Sequence, residues 1–313
     1  MPVRLPPVTD PASRILLEGI VDYAGLFPPA ALLMPGAVRN FAHYRAGGTG
    51  WMLGRFVCPA SALTLFSELA DPLLPRDAGA IPWRLAVTSS GDIAADLTGI
   101  AAFNERHRVC FEECGAFVDT YEVRVTSAAE FEAADRALPQ ELVTYIEVPY
   151  AQATDLLPRI AERGRRAKMR TGGVTADAFP NAADIVAFLE GCLHHDVVAK
   201  ATAGLHHPIS GPYRLTYEEN AVSGRMFGFL NVFLAAALLA NGGASVHAIQ
   251  LLNESDASNL SSDEYQVSWR SPDGTILLDR STLQRVREQV LTSFGSCSFV
   301  EPATEIRALG WLT

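Results

Sequence analysis

Short apolar runs of strand length alternate along the chain with longer stretches whose apolar residues recur at helical spacing. Residues 20–27 (IVDYAGLF) open the series, and an irregular stretch follows. Residues 52–58 (MLGRFVC) precede SALTLFSELA, where Ser61 is placed to cap the helix. Residues 83–88 (WRLAVT) lead into DIAADLTGIAAFNERH, and 120–125 (TYEVRV) into SAAEFEAADRAL, which begins like a capping box. Residues 143–148 (VTYIEV) precede AQATDLLPRIAERG, and 167–171 (AKMRT) precede NAADIVAFLEGCLHH. A seventh run, 197–202 (VVAKAT), comes before the apolar FGFLNVFLAAALL. Crossovers of these lengths suit parallel strands, which leaves a doubly wound sheet or a (β/α)8 barrel.

The eighth unit is interrupted. Residues 243–290 carry the polar NESDASNLSSDEYQ and a predicted hairpin, QVSWRSPDGTILL, with Pro-Asp-Gly at its turn. The chain returns at 293–299 (SFGSCSF), and EPATEIRALGWL predicts a closing helix with Glu301 and Pro302 in its first turn. The expected fold is therefore α/β. It is a single (β/α)8 TIM-like barrel domain over residues 1–313, with 243–290 inserted before the last strand.

Composition narrows the function classes. Hydrophobic residues make up 49% and charged residues 19%, enough to bury a large core. The net charge of −10, with no Lys/Arg-rich run, excludes a nucleic-acid or membrane-surface partner. The cysteines (Cys58, Cys110, Cys114, Cys192, Cys297) are odd in number and form no CxxC, so neither a disulfide framework nor a zinc finger is expected. The apolar stretch 226–240 is too short to span a bilayer, and residues 1–14 hold no apolar signal segment, so the expected location is cytoplasmic.

Charge within the strand candidates changes the picture. Parallel strands covered on both faces should read as nearly continuous Val, Ile and Leu. Here the runs contain Asp22, Arg55, Glu122, Arg124, Glu147, Lys168, Arg170 and Lys200. Strand alternation puts Lys168 and Arg170 on one face, and Glu122 and Arg124 on another. A ring of structural salt bridges is one explanation. An active site is the other, because barrel catalytic groups come from the ends of several strands. If all eight point inward, five bases against three acids leave +2, which favours an anionic substrate.

Several of these segments resemble deoxyribose-phosphate aldolase and its relatives. Lys168-Met-Arg-Thr171-Gly172 is similar to the K-x-x-T-G of the family's Schiff-base strand, and Lys200-Ala-Thr-Ala-Gly204 to the next strand, where a second lysine precedes a glycine turn. Phe294-Gly295-Ser296-Cys297-Ser298 resembles the Phe-Gly-Ala-Ser-Ser that helps hold the substrate phosphate. Asp22 and Glu147 fall where the family carries acids on its first and fifth strands. Only Glu122 stands in for its fourth-strand aspartate, and Arg170 is an added cation. Taken together, DYAGLFPPA, KMRTGG, KATAGLHHP and FGSCSF also resemble a bacterial family with no assigned activity. The resemblance implies a barrel and imine chemistry, and it does not name the substrate.

The residues predict the same chemistry on their own terms. An amine nucleophile must be unprotonated, and a neighbouring cation or an apolar pocket helps to achieve that. Two ammonium groups ~6 Å apart at an effective dielectric of ~20 repel by roughly 3 kcal/mol, which would carry a lysine from ~10.4 towards ~8. Lys168 is the expected imine former and Lys200 its electrostatic partner, with Asp22, Glu122 and Glu147 as proton carriers. The same lysines could instead pair with Glu122 or Glu147. Substrate contacts are expected from Arg55, Arg170, Thr171, Gly172, Gly173, Gly204, His206, Gly295, Ser296 and Ser298, because late barrel loops commonly cradle anions.

Of His206 and His207, strand alternation lets one face a site, and no ligand spacing implies a metal or other cofactor. His194 and His195 read as helix-end residues, and Cys297 lacks an assignable His-Asp partner. The leading expectation is a class I aldolase-like lyase acting on a small phosphorylated or carboxylated carbonyl compound. The alternatives are a transferase or decarboxylase that uses the cations only to bind charge, and a non-catalytic sugar-phosphate-binding barrel. The expected partner is a small anionic metabolite, with a homo-oligomer left open.

Overall fold

The computed structural model describes residues 11–77, 79–108 and 115–312. Its strands are β1 (Val21–Tyr23), β2 (Leu53–Pro59), β3 (Trp83–Thr88), β4 (Ala116–Arg124), β5 (Val143–Glu147), β6 (Arg166–Arg170) and β7 (Ala199–Thr202), followed by β8 (Gly211–Arg214), β9 (Ser223–Met226), β10 (Leu260–Ser262), β11 (Gln266–Ser271), β12 (Gly274–Asp279) and β13 (Leu291–Ser296). Strands β1 to β7 and β13 close a parallel barrel in the order β1-β13-β7-β6-β5-β4-β3-β2. This is the expected α/β barrel with an insertion before the last strand. β1 is only three residues long, yet it closes the barrel by pairing with both β2 and β13.

Capping chemistry fixes several helix starts. Asp92, Asn181 and Asp279 each accept a bond from a backbone N–H three residues on, at 3.1, 2.9 and 2.8 Å. Ser127 accepts from the Glu130 N–H as expected, but the Glu130 carboxylate returns to Thr126 rather than to Ser127. The expected Ser61 cap does not form. Pro59 ends β2, a 3-10 turn takes residues Ala60–Ala62, and the helix Leu63–Ala70 starts beyond it without a side-chain cap.

Between β7 and β13 the chain departs from the barrel earlier than expected. It forms the β8–β9 hairpin, the helices Phe229–Ala240 and Ser245–Leu252, the antiparallel β10–β11–β12 sheet and the helix Arg280–Gln289. The predicted Pro-Asp-Gly hairpin is β11–β12. The helix Phe229–Ala240 is buried on all sides through Leu239, which is why its sequence carries no polar face. No helix among the described residues is long and apolar enough to cross a membrane. Cys58, Cys192 and Cys297 are buried and free, whereas Cys110, Cys114 and residues 1–10 lie outside the described residues.

Candidate active site

A cavity of about 400 Å³ opens where the barrel strands end. Lys168, Lys200 and Glu122 line it from within the barrel, Arg170 from the last position of β6, and Gly172 and His206 from just beyond β6 and β7. This is the face at which barrel enzymes carry their chemistry.

The strand registers set the cluster. Lys168 pairs with Lys200 across β6–β7 and with Glu147 across β5–β6. Lys200 Nζ lies 2.5 Å from Asp22 Oδ2 and 2.7 Å from Glu122 Oε1. Lys168 Nζ lies 2.8 Å from Glu122 Oε2 and 2.9 Å from Glu147 Oε2. The other Glu147 oxygen takes Arg170 Nε at 3.3 Å. Four of these residues, Asp22, Glu122, Lys168 and Lys200, are at most 7% exposed. Paired charges of this kind are the only ones a barrel interior tolerates.

Local sequence makes room for the arrangement. Asp22 Oδ1 accepts the Arg55 N–H at 2.8 Å, and a Cβ on Gly54 would stand 2.5 Å from that oxygen. Gly54 is therefore required by the Asp22 carboxylate. Ser293 on β13 donates a further bond to Asp22 Oδ2 at 2.7 Å, and the Tyr145 ring lies 5.5 Å beneath Lys200 Nζ. Charge-based reading passed over both residues. Tyr145 was detectable, since it shares a strand face with Glu147.

The expected lowering of the lysine pKa values does not occur. Burial alone would lower Lys168, but Glu122 and Glu147 outweigh it and hold the ammonium above its ordinary value. Burial likewise works against the charge on Lys200, and Asp22 and Glu122 override it upward. For Glu122, burial opposes ionisation, but the two lysines pull the carboxyl down to about 2. Mutual repulsion of the lysines is cancelled because a carboxylate stands between them.

Arg55 is not where the sequence suggested. Its guanidinium binds Asp119 through Nε at 2.6 Å and Nη2 at 3.0 Å, and Arg84 near the start of β3 shares that carboxylate. Arg55 does not line the cavity. The register between β3 and β4 skips Asp119, which therefore sits in a bulge, a device that re-aims a side chain. Counting Asp119 removes part of the +2 on which the anionic-substrate argument stood. Lys168, Lys200 and Arg170 against Asp22, Glu122 and Glu147 leave the cluster neutral.

The expected anion cradle is also largely engaged. Thr171 is buried, and its hydroxyl donates to the Ala203 carbonyl at 2.6 Å. Gly204 (φ +71°) does not line the cavity, because the Phe179 ring and Gly172 occupy the space where its Cβ would lie. Ser298 already accepts the Glu301 N–H, in the first turn of the closing helix, at 3.2 Å, and Glu301 adds negative charge there. Ser296 Oγ bonds His206 Nδ1 at 3.2 Å. Of the predicted substrate contacts, Arg170, Gly172, Gly173, His206 and Gly295 line the cavity with the lysines, and Cys297 joins them. His207 turns away to Glu305 at 2.7 Å and stacks on Tyr213.

No protein-family model, characterised protein or solved structure matches this chain. Among the described residues, no group of three or more His, Cys, Asp or Glu is arranged to hold a metal ion.

Proposed function

We propose that this barrel is a lyase that makes or breaks a C–C bond in a small carbonyl compound through an imine on Lys168. One observation carries the reading. Two lysines and three carboxylates form a continuous hydrogen-bonded chain, Asp22–Lys200–Glu122–Lys168–Glu147, whose three central members line a cavity on the catalytic face of the barrel. Lys168 is the nucleophile because its side chain is 9% exposed against 2% for Lys200.

At rest Lys168 is an ammonium ion and cannot attack. A substrate that fills the cavity displaces water, and a drier site favours the neutral amine–carboxylic acid pair over the ion pair. Glu147, 2.9 Å from Lys168 Nζ, takes the proton. The amine adds to the carbonyl carbon, and the Glu147 proton then leaves with the carbinolamine oxygen as water. Glu122 remains the anion facing the iminium, held by Lys200.

Neutralisation of both lysines supports proton handling over a role in holding an anion. A carboxylate or phosphate on the substrate would meet Arg170, whose side chain is half exposed at the cavity mouth. Borohydride reduction in the presence of small aldehydes and ketones, with peptide mass mapping, tests the proposal. A reduced adduct on Lys168 is expected. Turnover without any trapped adduct would instead select charge-binding transferase or decarboxylase chemistry, and binding without turnover a non-catalytic barrel.

A further inference from the structure

Cleavage of a β-hydroxy imine needs a base for the hydroxyl proton, and the lysine–carboxylate chain does not offer a free one. Among the described residues, the titratable side chains lining the cavity are Glu122, Lys168, Arg170, Lys200, His206 and Cys297. Each oxygen of Glu122 is held by an ammonium group, at 2.7 and 2.8 Å. Glu147 is spanned by Lys168 and Arg170, and Asp22 by Lys200, Ser293 and the Arg55 N–H. Burial raises the Cys297 thiol, which stays protonated. His206 is what remains.

The His206 ring is built to act as a base. It is 7% exposed, and its Nδ1 is engaged by Ser296 Oγ at 3.2 Å and faces Glu301 Oε2 at 3.6 Å, with Cys297 Sγ at 3.9 Å. Contacts at Nδ1 with a carboxylate beyond them favour the tautomer that carries its proton there, leaving Nε2 as the acceptor. Glu301 is itself fixed by the Tyr217 hydroxyl at 2.8 Å. Burial, with His207 alongside, pushes the imidazolium down to about 4.

We propose that His206 takes the proton from the substrate's β-hydroxyl as the C–C bond breaks, with Glu301 as its positioning residue. The assignment rests on the imine reading above. The O–H proton passes to His206 Nε2, and the hydroxyl oxygen becomes the carbonyl of the departing aldehyde. The C–C bonding pair moves into the Lys168 iminium to give an enamine. His206 then returns its proton to the enamine carbon, and water hydrolyses the new iminium. No oxidant or further reactant is needed. The substrate class is thus a β-hydroxy aldehyde or ketone.

The test separates imine formation from cleavage. Acetaldehyde, acetone and pyruvate, which have no β-hydroxyl, serve as borohydride-trapping probes, and a panel of β-hydroxy aldehydes and ketones led by 3-hydroxybutanal reports cleavage. His206→Gln should still accumulate reduced adduct while cleaving about 10²–10⁴-fold more slowly. Glu301→Gln should lower kcat for cleavage and move the acid limb of its pH profile further into acid, since a negative charge near the ring is lost. Equal loss of trapping and cleavage in both variants would reduce His206 to a structural residue and overturn the assignment. So would unimpaired cleavage, or a wild-type protein that traps adduct but cleaves no member of the panel. Absence of any adduct in the wild type would overturn the imine reading beneath it.

Discussion

Lys168 and Lys200 stand opposite each other in the β6–β7 ladder and share one carboxylate, Glu122, with one oxygen given to each ammonium group. They are not equivalent. Lys200 is locked by Asp22 on its far side, whereas Lys168 reaches the cavity between Glu122 and Glu147.

Replacing either lysine should therefore give different results. Lys168→Ala should abolish the borohydride-trapped adduct. Lys200→Met should leave a trappable but slower site, because Glu122 is then free to give both oxygens to Lys168 and raise its pKa further. The trapping optimum should move to alkaline pH, which a rate–pH series would show. Loss of one buried partner should also cost about 3–5 kcal/mol, read by urea unfolding.

Glu122 couples stability to acid. Its carboxyl lies at about 2 in the fold against an ordinary 4.5. A depressed acid contributes stability that is complete above its unfolded value and is lost as pH falls through the folded one. The contribution, roughly 3 kcal/mol, should drain away between about pH 4.5 and 2. In Glu122→Gln, unfolding free energy should fall less steeply with acid across that window.

His206 acts in a different window. Its imidazole is neutral in the fold down to about pH 4, while the unfolded chain takes up a proton near 6.5. The unfolded state thus binds more protons as pH drops from 6.5 to 4, and stability declines over that range. His206→Gln removes the decline. Denaturation midpoints at pH 7 and pH 5 should lie closer together in the variant than in the wild type.

Gly54 offers a test of the cluster from outside the titrating groups. An alanine methyl there would stand 2.5 Å from Asp22 Oδ1 and must displace the carboxylate or the backbone of β2. Gly54→Ala should destabilise by about 1–3 kcal/mol. It should also slow adduct formation, although residue 54 touches no substrate.

The barrel was legible because each β–α unit carries its own period, and Lys168, Arg170, Glu122 and Glu147 were legible because charge in a buried strand is conspicuous. The geometry that decides their behaviour was not. The Asp119 bulge has no local signature, so Arg55 looked available when it is bound at 2.6 Å. Gly204 reads as a phosphate-cradling glycine until Phe179, 25 residues earlier in the chain, occupies the space beside it. Strand alternation allowed one of two adjacent histidines to face the site, but only the fold shows that Ser296 and Glu301 face Nδ1 of His206, while Glu305 holds His207 away.

Asp22 lies near one end of the described chain and Ser293 near the other, and their 2.7 Å bond crosses the seam at which β1 meets β13. During synthesis Asp22 emerges before Lys200, which follows 178 residues later. The barrel has no second neighbour for β1 until residues 291–296 have left the ribosome. A nascent chain halted before that point holds seven strands with two open edges and Asp22 on one of them, still exposed to water. The buried charge cluster is thus completed only when the last strand arrives. A shortened product that retains both lysines would carry a hydrated, unformed site and a sheet edge open to pairing with other chains.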